Sequence, residues 1–239
     1  MRVALISLVV TVLLSATTMP QVWGDGQPET LEGALQRHHV ALTKKALVSA
    51  LRSPDEEVRR LAAQELAQDG ASDAIPSIRE ALKAETLPLN QVNIAFSLAQ
   101  LGDGTGLATL RGTCENPAAP GGIRMLAAQY MQNLHKQDCR KAVVQVLKFG
   151  DDSGSRIQAL SLALDFPDES LEMFDLVVKA LTDQDPGVRM TASSMLGRLG
   201  NVSAIPYLEE ALAKEQNDGC VLEMRMDLQH LRKQEARQR

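Results

Sequence analysis

The chain has 239 residues, with 25 basic against 30 acidic side chains for a net charge of −5, and its aromatic residues are four Phe, two Tyr and one Trp. A chain with 44% apolar residues and so small a charge imbalance is expected to fold, which excludes disorder for most of its length. Nucleic acids and anionic membranes bind clustered positive charge, so the acidic balance argues against both as partners.

The first 24 residues have the composition of a secretory signal peptide. One basic residue, Arg2, precedes an apolar run at 3–14, and small residues follow at Val22 and Gly24. This pattern predicts a periplasmic or secreted protein, cleaved after Gly24 and not inserted in a membrane after cleavage. An uncleaved anchor is the alternative, but twelve residues form a helix of about 18 Å, shorter than a hydrocarbon layer of about 30 Å. Residues 25–37 are then a lead-in segment.

Two similar segments lie 130 residues apart. Residues 51–82 return as residues 181–212 without a gap, and Val58-Arg59 aligns with Val188-Arg189. A separation of 130 corresponds to four units of 32 or 33 residues. At that spacing one position stays apolar throughout, as Leu66, Leu98, Met131, Ala163 and Leu196. The sequence therefore predicts internal repeats.

Each repeat is predicted to be a pair of antiparallel helices. Val58, Ala62 and Leu66 advance by four residues, as on one face of a helix. The repeat ends in a turn position occupied by Gly70, Gly102, His135, Pro167 and Gly200. The expected fold is an all-α, right-handed α-solenoid of about six pairs. The predicted pairs are 38–52 with 55–68, 72–84 with 89–101, 104–114 with 120–134, 138–149 with 153–164, 168–182 with 186–199, and 202–215 with 218–236.

These residues resemble a known repeat family. Asp185-Pro186-Gly187-Val188-Arg189, followed by residues 196–200 (LGRLG) and 204–208 (AIPYL), is similar to the HEAT repeat, in the bacterial HEAT-like form also found in phycobilisome-lyase-type proteins. The resemblance implies a protein-binding solenoid over residues 38–215 rather than one chemistry. Residues 216–239 are predicted to be a capping helix with a basic tail.

An arginine column runs along the repeats, as Arg59, Arg124, Arg156 and Arg189, with Gln91 in the second unit. It is either a basic stripe for an acidic partner or a structural ladder. The ladder is favoured because Asp55, Asp152 and Asp185 each lie four residues before an arginine, where an acid stabilises the start of a helix and can pair with an arginine. Arg124 has Pro120 in place of the acid, so it is predicted to be the arginine most free to bind a ligand.

No catalytic, cofactor-binding or metal-binding site is predicted. Three cysteines in an exported chain suggest a disulfide, but Cys114 and Cys139 are predicted on neighbouring parallel helices with an axial offset of about 12 Å. All three cysteines, including Cys220, are therefore expected to be small buried residues. The four histidines, His38, His39, His135 and His230, form no ligand cluster.

The leading functional hypothesis is an exported, non-enzymatic scaffold that binds an unidentified protein through the concave face of its second helices. The alternative, from the resemblance, is a chromophore lyase or lyase accessory, although such attachment is cytoplasmic. A HEAT-like base-excision glycosylase would need a basic, aromatic groove, which an acidic chain with few aromatics does not predict. The candidate binding residues are Arg60, Gln64, Asn93, Arg124, Gln129, Gln158 and Arg189.

Overall fold

The computed structural model describes residues 30–150, 152–163 and 171–238, and its regular structure in those ranges is helical. The predicted signal segment 1–24, Pro167 and Arg239 lie outside the described residues. The helices are α1 (Leu31–Arg37), α2 (Lys44–Ala50), α3 (Glu56–Gln68), α4 (Ile75–Ala84), α5 (Pro88–Gln100), α6 (Gly104–Glu115), α7 (Gly121–Asn133), α8 (Arg140–Phe149), α9 (Ser153–Ala163), α10 (Leu171–Ala180), α11 (Pro186–Leu199), α12 (Ile205–Lys214) and α13 (Asp218–Gln238), with single 3₁₀ turns at Ser72–Ala74 and Val202–Ala204.

The helices form the six predicted pairs, from α2 with α3 to α12 with α13, so the all-α solenoid is confirmed. The first pair was predicted incorrectly at its start. The predicted helix 38–52 is shortened to α2, and the lead-in segment contains the unpredicted α1. The chain turns between them at His39, whose φ is +57°, and Thr43 then caps α2 by accepting a hydrogen bond from the Ala46 N–H. His38 and His39 therefore do not lie within a helix.

The second helices pack closely against one another. Helices α3, α5, α7, α9, α11 and α13 contact each other in sequence, whereas the first helices of neighbouring pairs touch far less. Small side chains permit the close approach: Ala62, Ala127 and Ala192 are fully buried. When the helices of one layer of a solenoid lie closer together than those of the other layer, the solenoid curves toward the closer-spaced layer. The second helices therefore line the concave side.

Turns between successive repeats follow the predicted column. Gly70, Gly102 and Gly200 have φ of +66°, +82° and +66°, and His135 takes the same left-handed conformation with φ of +56°. Glycine has no Cβ to clash in that region, which explains its recurrence at this position. The prediction that His135 fills a turn is confirmed.

Helix α6 crosses α5 at Gly106, where no side chain fits between the two backbones. A Cβ on Gly106 would lie 2.6 Å from the Ala99 nitrogen and would also clash with the Ala95 carbonyl oxygen. We expect Gly106→Ala to lower the free energy of unfolding by about 1–3 kcal/mol, because the helices must separate. The matched control is Gly112→Ala on the same helix, where a Cβ would meet nothing within 4 Å. Alanine there should stabilise the chain by about 0.5–1 kcal/mol in urea titrations. Equal effects at the two sites would contradict this packing.

Candidate functional site

Three arginines of the column pair with acids that lie just after the end of the following first helix. Arg59 Nε donates to Glu85 Oε2 at 2.9 Å, and Arg189 Nε donates to Glu215 Oε2 at 2.6 Å. Arg156 makes two bonds to Asp183, at 2.8 and 2.9 Å. The structural ladder is therefore present, and the arginines are not free to form a basic stripe.

The predicted partners were wrong, since the acids that precede the arginines serve as helix caps. Asp55 accepts a hydrogen bond from the Glu57 N–H at 2.9 Å, and Asp185 accepts one from the Gly187 N–H at 2.8 Å. Asp152 accepts from the Ser155 N–H at 2.7 Å. An acid at this position satisfies amide groups that have no partner in the helix. The acids of the ladder lie 26 or 27 residues after each arginine, in the next repeat. The spacing of residues within one repeat could not indicate these partners.

Glu85 and Glu215 are anchored at two places each. Besides the arginine, Glu215 Oε1 accepts from the backbone N–H groups of Gln216 and Asn217 at 3.0 and 2.8 Å. The hydrogen bond from Arg189, followed by those from the backbone, lowers the pKa of Glu215 to about 2. Burial opposes ionisation of Glu85, yet its hydrogen bonds from the Leu87 N–H, Arg59 and the Thr86 N–H hold its pKa below the usual range.

Arg124 differs from the prediction. Only 7% of the Arg124 surface is exposed to solvent, so Arg124 is not an accessible binding residue on the concave face. Its Nε donates to the Cys114 carbonyl oxygen at 3.0 Å, and its Nη2 donates to Gln145 Oε1 at 2.8 Å. Pro120 does remove the capping acid, as predicted, but the Arg124 side chain is buried and bonds neighbouring helices instead of facing solvent. Burial lowers the pKa of Arg124.

The remaining candidate residues fall into two groups, those that reach solvent and one, Arg189, that belongs to the arginine ladder. Gln129 and Gln158 are exposed, and Arg60, Gln64 and Asn93 are partly exposed. Arg189 is held by Glu215 in the ladder and does not belong with them. Following the repeat spacing from these positions adds residues that the prediction omitted. The exposed or partly exposed set, which we term the second-helix face, comprises Gln64, Asn93, Phe96, Gln129, Gln158, Ser161 and Ser194.

From α3 to α11 the second-helix face is uncharged and partly preorganised, and the next residue at the same spacing is an acid, Asp227 on α13. Phe96 stacks on Tyr130 with ring centroids 4.0 Å apart, and the Tyr130 hydroxyl donates to Asn93 Oδ1 at 2.6 Å. Arg60, beside this face, lies 3.7 Å from Glu57. Amide, hydroxyl and aromatic groups can bind peptide groups through hydrogen bonds and apolar contact. They do not provide the positive charge that a phosphate backbone attracts.

The cysteine prediction was wrong for two of the three residues. Cys114 and Cys139 form a disulfide with a Cα–Cα distance of 5.9 Å. The predicted axial offset between the two cysteines was wrong because the last turn of α6 meets the first turn of α8. At the same place Arg111 of α6 donates from Nε to Asp138 Oδ1 at 3.0 Å. Cys139 precedes α8 rather than lying within it. Cys220 is buried and free as expected, and burial raises the pKa of its thiol.

Residues 30–150, 152–163 and 171–238 contain neither a metal-ligand cluster nor a membrane-spanning helix. In those ranges, His, Cys, Asp and Glu side chains form no group of three that could hold a metal ion. Across the same part of the chain, no helix combines the length and the apolar content that crossing a membrane requires.

Comparison with known families identifies the repeat. The profile described as HEAT repeats matches residues 45–132 and 140–224, which is most of the chain. The protein therefore belongs to the HEAT-repeat family. No curated protein matched the chain. Among solved structures, the complex of CpcE and CpcF of phycocyanin lyase from Nostoc sp. PCC7120 is similar, with 19% identity over 80% of this chain and 95% of that chain and a TM-score of 0.37.

Proposed function

We propose that the protein is a non-enzymatic scaffold that binds a partner protein through its second-helix face. The observation that carries the proposal is the uncharged row of amide, hydroxyl and aromatic groups that runs along the second helices from α3 to α11. Phe96 and Asn93 are held in place by Tyr130, so part of the face is ordered before binding. Preorganised groups lose little conformational entropy on association, which favours recognition by a rigid surface.

We further propose that the protein is exported and functions in an oxidising compartment. The Cys114–Cys139 disulfide supports this location, since disulfides persist in the periplasm and outside cells but are rare in the reducing cytosol. The composition of residues 1–24 supports the same location. The chromophore-lyase alternative remains a prediction from the sequence resemblance, and no contact described above favours it.

The proposed face can be tested by capture with matched charge variants. The double variant Gln129→Arg, Gln158→Arg adds two cations to the second-helix face. The control, Ala84→Arg, Ala108→Arg, adds the same charge at exposed positions on first helices. The wild type is used to capture partner proteins from an envelope fraction. We expect these partners to bind the control variant as tightly as the wild type and to bind the face variant at least about tenfold more weakly.

The proposal requires that capture of the partner protein depends on the second-helix face. Identical capture by all three proteins, after circular dichroism has shown each to be folded, would mean that the partner binds elsewhere. Recovery of no specific partner by the wild type would also count against the proposal.

A further inference from the structure

Helix α1 packs on α3, which is the first of the second helices along the chain. Ala34 and Leu35 are its buried residues. A helix of seven residues is not stable on its own in water, so α1 depends on the contacts that hold it to the repeats. Charged groups at the two ends of α1 contribute to this contact, and both ends contain a buried polar atom without a hydrogen bond.

At one end of the contact, the Glu65 carboxylate of α3 is buried without a partner. The residue is only 7% exposed, and its Oε2 accepts no hydrogen bond from the described part of the chain. Burial, followed by the negative charges of Asp69 and Glu32, raises the pKa of Glu65 above its ordinary value of 4.5. Glu32 lies in the first turn of α1, so the ionised form of Glu65 opposes the docking of this helix.

At the other end, the imidazole of His38 lies between two carboxylates at the start of α3. His38 directly follows α1, with Nδ1 3.3 Å from Asp55 Oδ2 and Nε2 3.5 Å from Glu57 Oε2. Nε2 is buried and makes no hydrogen bond within the described ranges. A neutral imidazole has one N–H, whereas a protonated one has two and carries a charge that the C-terminal end of a helix favours.

The neighbouring helices add few charges to this contact. Helix α5, which also packs on α3, has no charged residue. Among the described residues, no cation lies within 4.0 Å of the Glu65 carboxylate. The other charged residues of α1, α2 and α3 are Arg37, Lys44, Lys45, Glu56, Arg59 and Arg60. Of these, Lys44, Arg59 and Arg60 lie beside the acids Asp73, Glu85 and Glu57.

We propose that α1 is a proton-controlled cover of α3, held more tightly in acid than at neutral pH. Protonation of Glu65 removes a buried charge and its repulsion from Glu32. Protonation of His38 gives both ring nitrogens a proton to donate, one toward Asp55 and one toward Glu57. The two ends of α1 therefore respond to protons in the same direction.

The direction of the pH dependence follows from the burial of Glu65. Because its pKa is raised in the folded chain, its proton stabilises the contact fully below the ordinary value of 4.5. That contribution is lost as the pH rises through the raised pKa. A loosened α1 uncovers Glu65, which adjoins Gln64 of the second-helix face. Access to that end of the face then changes with pH.

Hydrogen exchange of the full chain, followed by mass spectrometry, measures the docking of α1. Protection of α1 is compared at pH 4.5 and at about pH 7.5, after correction for the intrinsic exchange rate. We expect α1 to be at least about fivefold better protected at the lower pH, and α5 to change less than about twofold. Equal protection of α1 at both pH values, complete exchange at both, or an equal change in α5 would overturn the proposal.

Matched variants assign the effect to the two groups. Glu65→Gln keeps the shape and removes the charge, so it should raise the protection of α1 about threefold at the higher pH and little at the lower. Its control is Glu80→Gln, at an exposed acid of α4. His38→Gln should lower the protection about threefold at the lower pH and little at the higher. Its control is His230→Gln, at an exposed histidine of α13. Neither control should affect α1.

The double variant His38→Gln, Glu65→Gln should lose the pH dependence. If α1 keeps the pH dependence of the wild type in the folded double variant, the two groups are not its cause and the proposal is wrong. If the double variant does not fold, each single variant still tests its own end of α1, and unchanged protection in both would be equally contrary.

Discussion

Removing the disulfide is expected to cost about 3 kcal/mol of unfolding free energy. The bond joins cysteines 25 residues apart, and a covalent loop of that length restricts the unfolded chain substantially. Urea unfolding of the double variant Cys114→Ala, Cys139→Ala should therefore show a lower midpoint than the oxidised wild type. The matched control is Cys220→Ala, which removes a buried but free thiol. It should cost about 1 kcal/mol, for a small lost volume and a weak hydrogen bond to the Pro186 carbonyl oxygen.

Thiol counting provides an independent check of the same bond. When the unreduced protein is alkylated in denaturant, a single cysteine, Cys220, should gain mass, and reduction should expose the other two. Labelling of all three without reductant would contradict the disulfide. A loss in the Cys220→Ala control as large as that in the double variant would contradict its stabilising role.

Glu215→Gln is expected to lower the free energy of unfolding at neutral pH by about 2 kcal/mol. The Glu215 side chain is only 3% exposed, and the substitution leaves the Arg189 guanidinium without its counter-charge. The pKa of Glu215 is about 2 in the folded chain against an ordinary value of 4.5, so its contribution to stability is complete above pH 4.5. That contribution is lost as the pH falls from about 4.5 to about 2, and the variant should show a shallower loss of stability in this range.

An exposed acid on the preceding helix provides the control for Glu215. Glu210 pairs with Lys214 at 2.6 Å, but its side chain is 67% exposed. Solvent screens such pairs, so Glu210→Gln should change the urea midpoint little at any pH. If the two variants have the same pH dependence, the Arg189–Glu215 pair does not stabilise the fold in the way that its burial indicates.

The repeat fold was accessible from the sequence because it is encoded locally and several times. Helical spacing around Leu66 and the glycines at 70 and 200 recur in register, so each repeat supports the assignment of the others. The start of the first pair was less accessible, since the turn between α1 and α2 depends on one residue with positive φ, His39. Histidine at such a position gives little sequence signal compared with glycine.

Side-chain partners across repeats were the main errors in the site. The burial and the hydrogen-bond partners of Arg124 depended on how α7 packs on α6 and α8, because its acceptors are Cys114 and Gln145 on those helices. The disulfide depended on the relative axial position of α6 and α8, which a uniform repeat spacing does not determine. A comparison of residues 26 or 27 positions apart would have found the ladder pairs Arg59–Glu85, Arg156–Asp183 and Arg189–Glu215.

The disulfide also determines how the chain would carry mechanical load. A force applied to the two ends of the solenoid passes through the Cys114–Cys139 bond, so the intervening segment, with the whole of α7, bears no tension. Extended, that segment would span about 85 Å, and this length stays unavailable to stretching while the bond is intact. A scaffold held between two partners could therefore lengthen at its outer repeats while α7 remains in an unloaded loop.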